Sequence, residues 1–209
     1  MASEVGICNM ALSHIGEDGI IVSINPADGS ANAGHCARFY GIARNDILEM
    51  FEWSFATKRA MMAQVINDSA AWAFKFALPS DCIKPRKLLS EGAWQEAISI
   101  DYLIESGHLY CNEEKPTLVY TMQVADTTRF SSMFTSAVSY KLASYIAGPI
   151  VKKAALVSNM LEIAMSVAAK ASALDANASS SETHGSPAPW MTERGGQASP
   201  YSREGYATR

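Results

Sequence analysis

The sequence predicts an α+β fold: a mainly helical bundle with an inserted antiparallel β meander or lobe and an extended C-terminal arm. Three observations carry this reading. Apolar residues recur at helical spacing near both ends of the body, and they alternate with polar ones between about residues 72 and 125. Bulky aliphatic residues then stop at Leu174. The body is therefore placed at residues 1–175, with the β lobe at about 72–125, and the polar arm at 176–209. The arm is rich in Ser, Ala, Gly and Pro, a composition that cannot bury enough apolar surface to offset its ordering entropy. A body of the remaining length suits one domain.

The elements follow in order. Ser3 is a good N-cap for a helix whose Val5, Cys8, Leu12 and Ile15 step by three and four, and Gly16 suits its C′ position. After a loop containing Asn25-Pro26, a longer helix is predicted from about Ser30 to Phe51, with Cys36, Tyr40, Ala43, Ile47 and Met50 as its apolar stripe. A short helical piece is expected near Phe55 to Met62. The period then becomes two. Trp72, Phe74, Phe76 and Leu78 alternate with small or polar residues until Pro79. Cys82 to Leu89 reads as a strand that Pro85 confines to an edge or a bulge. Ile98 to Ile104 and Leu118 to Val124 alternate likewise, with turn signals at Glu91-Gly92 and Ser106-Gly107. Asp126 is taken as the cap of a helix carrying Phe130, Phe134, Val138, Leu142 and Tyr145, stopped by Gly148-Pro149. A last helix, about Val151 to Leu174, sets Val157, Leu161, Ala164, Ala168 and Ala171 on one side.

Composition narrows the function classes. Lys and Arg number 17 against 21 Asp and Glu, a net charge of −4, without the basic surplus of a strong nucleic-acid binder. No run approaches the roughly 18 apolar residues of a membrane span. The N-terminus has no signal-peptide form. Four cysteines, Cys8, Cys36, Cys82 and Cys111, are widely spaced and are read as buried thiols rather than a disulfide framework.

His35-Cys36 and His108 with Cys111 are close pairs, but adjacent helical positions diverge by about 100° and four-ligand zinc spacing is missing. Cys36 with His108 is a conceivable nucleophile pair, and Asp101, Glu105, Glu113 and Glu114 conceivable carboxylates for glycan cleavage. Helix packing and wet strand faces account for all of these. Arg38, Arg44, Lys58 and Arg59 are interspersed with Glu49 and Glu52, as in surface ion pairs. Gly195-Gly196 lacks the strand and helix of a phosphate loop. No catalytic, cofactor-binding or metal residue is therefore assigned. In the arm, Trp190 stands among Pro187, Pro189 and Met191 with no core of its own, and Tyr201 and Tyr206 are placed alike. These six residues read as anchors for a partner's pocket.

The first 150 residues or so resemble the tail tubular protein A family, the head-to-tail adaptors of short-tailed bacteriophages (podoviruses). The resemblance is carried by Ala11-Leu12-Ser13-His14-Ile15-Gly16-Glu17, Ile20-Ile21, Ala31-Asn32-Ala33, Arg38-Phe39-Tyr40 and Trp53-Ser54-Phe55-Ala56. Ala77-Leu78-Pro79-Ser80-Asp81-Cys82 and Leu118-Val119-Tyr120 leading to Asp126 add to it. It implies a structural virion protein and no enzyme. Such a protein is made in the host cytoplasm and forms a ring, usually of twelve copies, at the head–tail junction. It binds the portal protein above and the tail nozzle below, sometimes with tail fibres at the rim. DNA passes through the lumen without specific binding, and no membrane or cofactor is involved. The arm would then latch onto the portal. A tail-associated peptidoglycan hydrolase and a different minor virion scaffold are the alternatives.

Overall fold

The structure, a computed structural model, describes residues 3–90 and 99–179. Helix α1 (Glu4–His14) starts where Ser3 Oγ accepts from Gly6 N at 3.0 Å, and Gly16 follows it at φ +81, a left-handed conformation that glycine adopts without a Cβ penalty. Helix α2 (Ala31–Met50) is capped by Ser30 Oγ, which accepts from Ala33 N at 3.1 Å. Its stripe of Cys36, Tyr40, Ala43 and Ile47 is buried as expected.

Past α2 the chain turns inward at Trp53, which is fully buried. Its Nε1 donates to Ile47 O at 2.9 Å, and its ring meets Phe134 edge-on at 4.8 Å. Phe55 and Phe130 both pack on Phe134 and on each other, so four aromatic rings join the α2 exit to the third helix. The expected helix over 55–62 shrinks to a single 3-10 turn at Ser54–Ala56, followed by strands β1 (Thr57–Met61) and β2 (Ala63–Val65). Pairing decides this: β1 lies antiparallel to residues 117–121 in unbroken register, from Thr57 opposite Thr121 to Met61 opposite Thr117. Tertiary pairing overrides a weak helical pattern. The β lobe thus begins at Thr57, ahead of the expected boundary near residue 72.

The remaining strands are β3 (Phe74–Ala77), β4 (Cys82–Leu89), β5 (Leu103–Glu105), β6 (His108–Cys111) and β7 (Thr117–Met122). They divide into two antiparallel sheets, β1-β7-β4 and β2-β3-β6-β5, rather than one meander in chain order. Pro85 does mark an edge strand, and register shifts flank it in β4. The turn at Ser106-Gly107 has φ of 50 and 74 and joins β5 to β6 with Glu105 opposite His108, the positive-φ pair that a two-residue hairpin requires. Strand β6 carries the close pair His108 and Cys111. A second core of Phe76, Leu88, Leu109, Cys111, Leu118 and Tyr120 fills the lobe. The turn at Glu91-Gly92 and residue Ile98 lie outside the described residues.

Helix α3 (Ser132–Val151) is capped by Ser131, not Asp126. Asp126 instead accepts from Thr128 N at 2.9 Å and caps the 3-10 turn Thr127–Arg129. Pro149 sits inside the last turn, and the helix ends at Lys152, a left-handed residue whose N–H reaches Ala147 O and Gly148 O. Helix α4 (Ala154–Ser179) runs past the composition break after Leu174. Alanine favours continuation, and Asp175 takes hydrogen bonds from Ser54 N at 2.6 Å and Ser54 Oγ at 2.7 Å. The body therefore extends to Ser179, and Asp175 belongs to it. On α4 the buried positions are Met160, Ala164, Ala168 and Ala171. Met160, not Leu161, starts that seam.

Polar ties hold these parts in register. Arg86 on β4 donates through Nη2 to Phe51 O at 2.6 Å, Glu49 O at 3.0 Å and Leu48 O at 3.4 Å, while its Nε reaches Thr121 Oγ1 on β7 at 2.8 Å. The guanidinium satisfies orphan carbonyls at the negative end of α2. Asp46 on α2 accepts from the Tyr145 hydroxyl and pairs with Lys141 Nζ at 3.4 Å. Burial first, then the Asp46 hydrogen bond, pushes the Tyr145 phenol up to about 12. His14 on α1 stacks on Tyr140, with centroids 3.9 Å apart, and its Nε2 lies 3.1 Å from Ser139 Oγ.

Two outcomes are expected. Arg86→Met should lower the unfolding free energy by about 2–3 kcal/mol, the worth of hydrogen bonds from a charged donor. Arg86→Lys should recover only part of it, as read from the urea midpoint at constant slope. Burial holds the His14 imidazole below its usual 6.5, so on acidification the unfolded chain binds that proton first. Its contribution is complete above pH 6.5 and is lost as pH falls toward the folded value. His14→Gln should flatten the stability profile in that window, measured by thermal melts at stepped pH.

Candidate functional site

The four-stranded sheet builds a concave surface. Its register sets Val65, Lys75, Tyr110 and Leu103 in one cross-strand row, with Ala77, His108 and Glu105 in the next row on the same face. The loop between β2 and β3 folds over these rows. Asp68 Oδ1 accepts from Lys75 Nζ at 2.7 Å and from Tyr110 Oη at 3.3 Å. Asn67 stiffens the loop, donating to Trp72 O at 2.6 Å and accepting from Ser69 N at 3.0 Å. The strap leaves a hollow of about 400 Å³ bordered by Asp68, Ser69, Trp72, Glu105, His108 and Tyr110. A more open one of about 830 Å³ is lined by Gln64, Val65, Ile66, Lys75 and His108. Lys75 and His108 line both.

Electrostatics assign Asp68 a structural role. The Lys75 hydrogen bond holds its carboxyl below the usual range, and Asp68 in turn raises Lys75. A carboxylate held ionised in this way is no proton donor for general acid catalysis at neutral pH. Glu105 borders the same hollow from an exposed hairpin position.

Two apolar surfaces stand apart from this hollow. Between α1 and α2, Asn9 clamps Ile21 at both its N–H (3.0 Å) and its C=O (3.1 Å), so Ile21 is buried while Ile20 and Val22 are 81% and 76% exposed. Asp28 secures the next residue, accepting from Val22 N at 2.9 Å and from Ser30. These donors, Val22 N–H foremost, depress its carboxyl to about 2. On α4 the side away from α3 exposes Leu161, Met165 and Leu174 among alanines. By length and composition alone α4 is long and apolar enough to cross a membrane, contrary to the expectation that no run of the chain approaches such a span. Its Met160–Ala171 seam is packed against α3.

The residues singled out from sequence scatter. Cys36 lies in the helical core beside Cys8, and the neighbouring thiol together with burial pushes Cys8 up. His108 stands on the sheet, its Nδ1 2.9 Å from Ser106 O, so Cys36 and His108 occupy different parts of the fold. Cys8, Cys36 and Cys111 are buried, Cys82 is half-buried, and all four are free thiols. Among the described residues no three His, Cys, Asp or Glu side chains gather as metal ligands. Arg44 is buried over the Tyr40 ring, and Lys58 pairs with Asp81 at 2.8 Å. Asp101 is exposed, and Glu113 and Glu114 lie in the loop after β6. The anchor residues Pro187, Pro189, Trp190, Met191, Tyr201 and Tyr206 lie outside the described residues. Sequence reasoning missed the group of Asp68, Trp72 and Lys75. Trp72 read as a strand residue but precedes β3, and only the alternation of Lys75 with Phe74 and Phe76 hinted at an outward cation. Comparison with protein-family models and with curated proteins found no match to this chain.

Asp68→Asn should release the strap. Amide hydrogen exchange over residues 66–73 should then quicken, while exchange in α2 and α3 stays unchanged.

Proposed function

We propose that this protein is a structural component of a virion, a head-to-tail adaptor that assembles as a ring between the portal protein and the tail nozzle. The observation that carries the reading is apolar surface left uncovered in two places among others: Ile20 and Val22 on a clamped loop, and Leu161, Met165 and Leu174 along α4. Grouped exposed apolar residues of this kind fit a protein that functions inside an assembly. The resemblance of the ordered motifs from Ala11 to Asp126 supports the particular assembly. In this reading twelve copies line a passage for DNA without binding it specifically, and the segment after Ser179 latches onto the portal. An acidic chain suits a wall past which DNA slides.

The enzymatic alternative, a peptidoglycan hydrolase, draws on Asp68 and Glu105 bordering one hollow. It is the weaker reading, because Asp68 is committed to Lys75.

Truncation after Ser179 tests the proposal. The shortened protein should keep its helical circular dichroism and melting temperature, since the Asp175–Ser54 contact is retained, yet fail to join purified portal in native mass measurement. Undiminished portal binding would remove the last segment from the mechanism, and clearing of murein in a zymogram would replace the adaptor reading with the hydrolase one.

A further inference from the structure

The geometry points to the hollow between the Asp68 loop and the outer face of the β2-β3-β6-β5 sheet as a binding site for a short neutral saccharide. This inference does not rest on the adaptor reading, and it concerns binding rather than cleavage.

The size and shape come first. A hollow of about 400 Å³ falls within the usual range of small-ligand sites, roughly 300–1,000 Å³. Lys75 and His108 also border the neighbouring open depression. The walls are held in place before any ligand arrives. Asp68 fastens the loop to Lys75 and Tyr110, and Asn67 fixes the loop's own turn. Preorganisation of this sort lowers the entropic cost of binding.

The lining then selects the ligand class. A pyranose ring offers an apolar C–H face and a rim of hydroxyls that both donate and accept. Trp72, half-buried at the edge of the hollow, supplies apolar aromatic surface. Ser69 and Ser106 supply hydroxyls of both capacities, Glu105 accepts, and His108 donates or accepts according to its tautomer. Charge argues against the other small-ligand classes. An anion would face Glu105 and Asp68, while the one lysine lining the hollow, Lys75, is already paired. A cation would meet Lys75 and find only Glu105 uncommitted to it. A neutral polyol meets neither penalty.

Isothermal titration of the full-length chain with three probes decides the matter: the N-acetylglucosamine trimer, maltotriose and the acidic galacturonate trimer. At least one neutral trisaccharide should bind, and galacturonate should bind about tenfold more weakly or not at all. Trp72→Ala and Glu105→Gln should each weaken the neutral sugar by about tenfold. Glu105 is an exposed hairpin residue, so its variant keeps the test intact if Trp72→Ala does not fold. Absence of heat from both neutral sugars at about 10 mM, equal binding of galacturonate, or binding indifferent to Glu105→Gln would overturn the assignment.

Discussion

The Arg86 guanidinium is the constraint on which the arrangement of the two cores depends. One core lies among the four helices and the other between the sheets. Apart from the chain itself, few residues of α2 touch the lobe. Arg86 crosses that gap, taking three carbonyls at the end of α2 with one nitrogen and the Thr121 hydroxyl with another. An ammonium could satisfy one direction but not this fork. Because those carbonyls belong to the turn that leads into Trp53, the same contact aims the indole at Ile47 O and the Phe134 ring. The orientation of the sheets and the centre of the helical core thus share one side chain.

Much of the helical framework was legible because its signals are local. Ser3, Ser30 and Gly16 act through neighbours within three or four residues, and they do in the structure what their chemistry requires. The Ser106-Gly107 turn is local too. β1 was illegible for the opposite reason: in Thr57-Lys58-Arg59-Ala60-Met61 only Ala60 packs on the lobe core, so there is little hydrophobic alternation, and pairing with β7 makes the segment a strand. Asp126 has the chemistry of a cap and does cap the 3-10 turn, while the cap of α3 falls to Ser131, five residues on. The end of α4 depended on Asp175 meeting Ser54, a partner 121 residues away.

The hollow on the outer sheet illustrates the same divide. Asp68 and Lys75 are seven residues apart and could have been paired on paper, but Tyr110 joins them from another strand. Glu105 and His108 enter only through the hairpin register. Carboxylates sought by type alone gave Asp101, Glu105, Glu113 and Glu114, and of these four Glu105 borders the hollow. Type and spacing found the acids; pairing across strands decided which of them borders a cavity.

The Asn9 clamp has a consequence for recognition speed. Two hydrogen bonds grip the peptide of Ile21 from both sides, and Asp28 grips the one after it. Ile20 and Val22 therefore project from a backbone with few conformations left to search. A partner that covers them meets a ready shape, so its on-rate is governed by diffusion and orientation, with no waiting for the loop to fold.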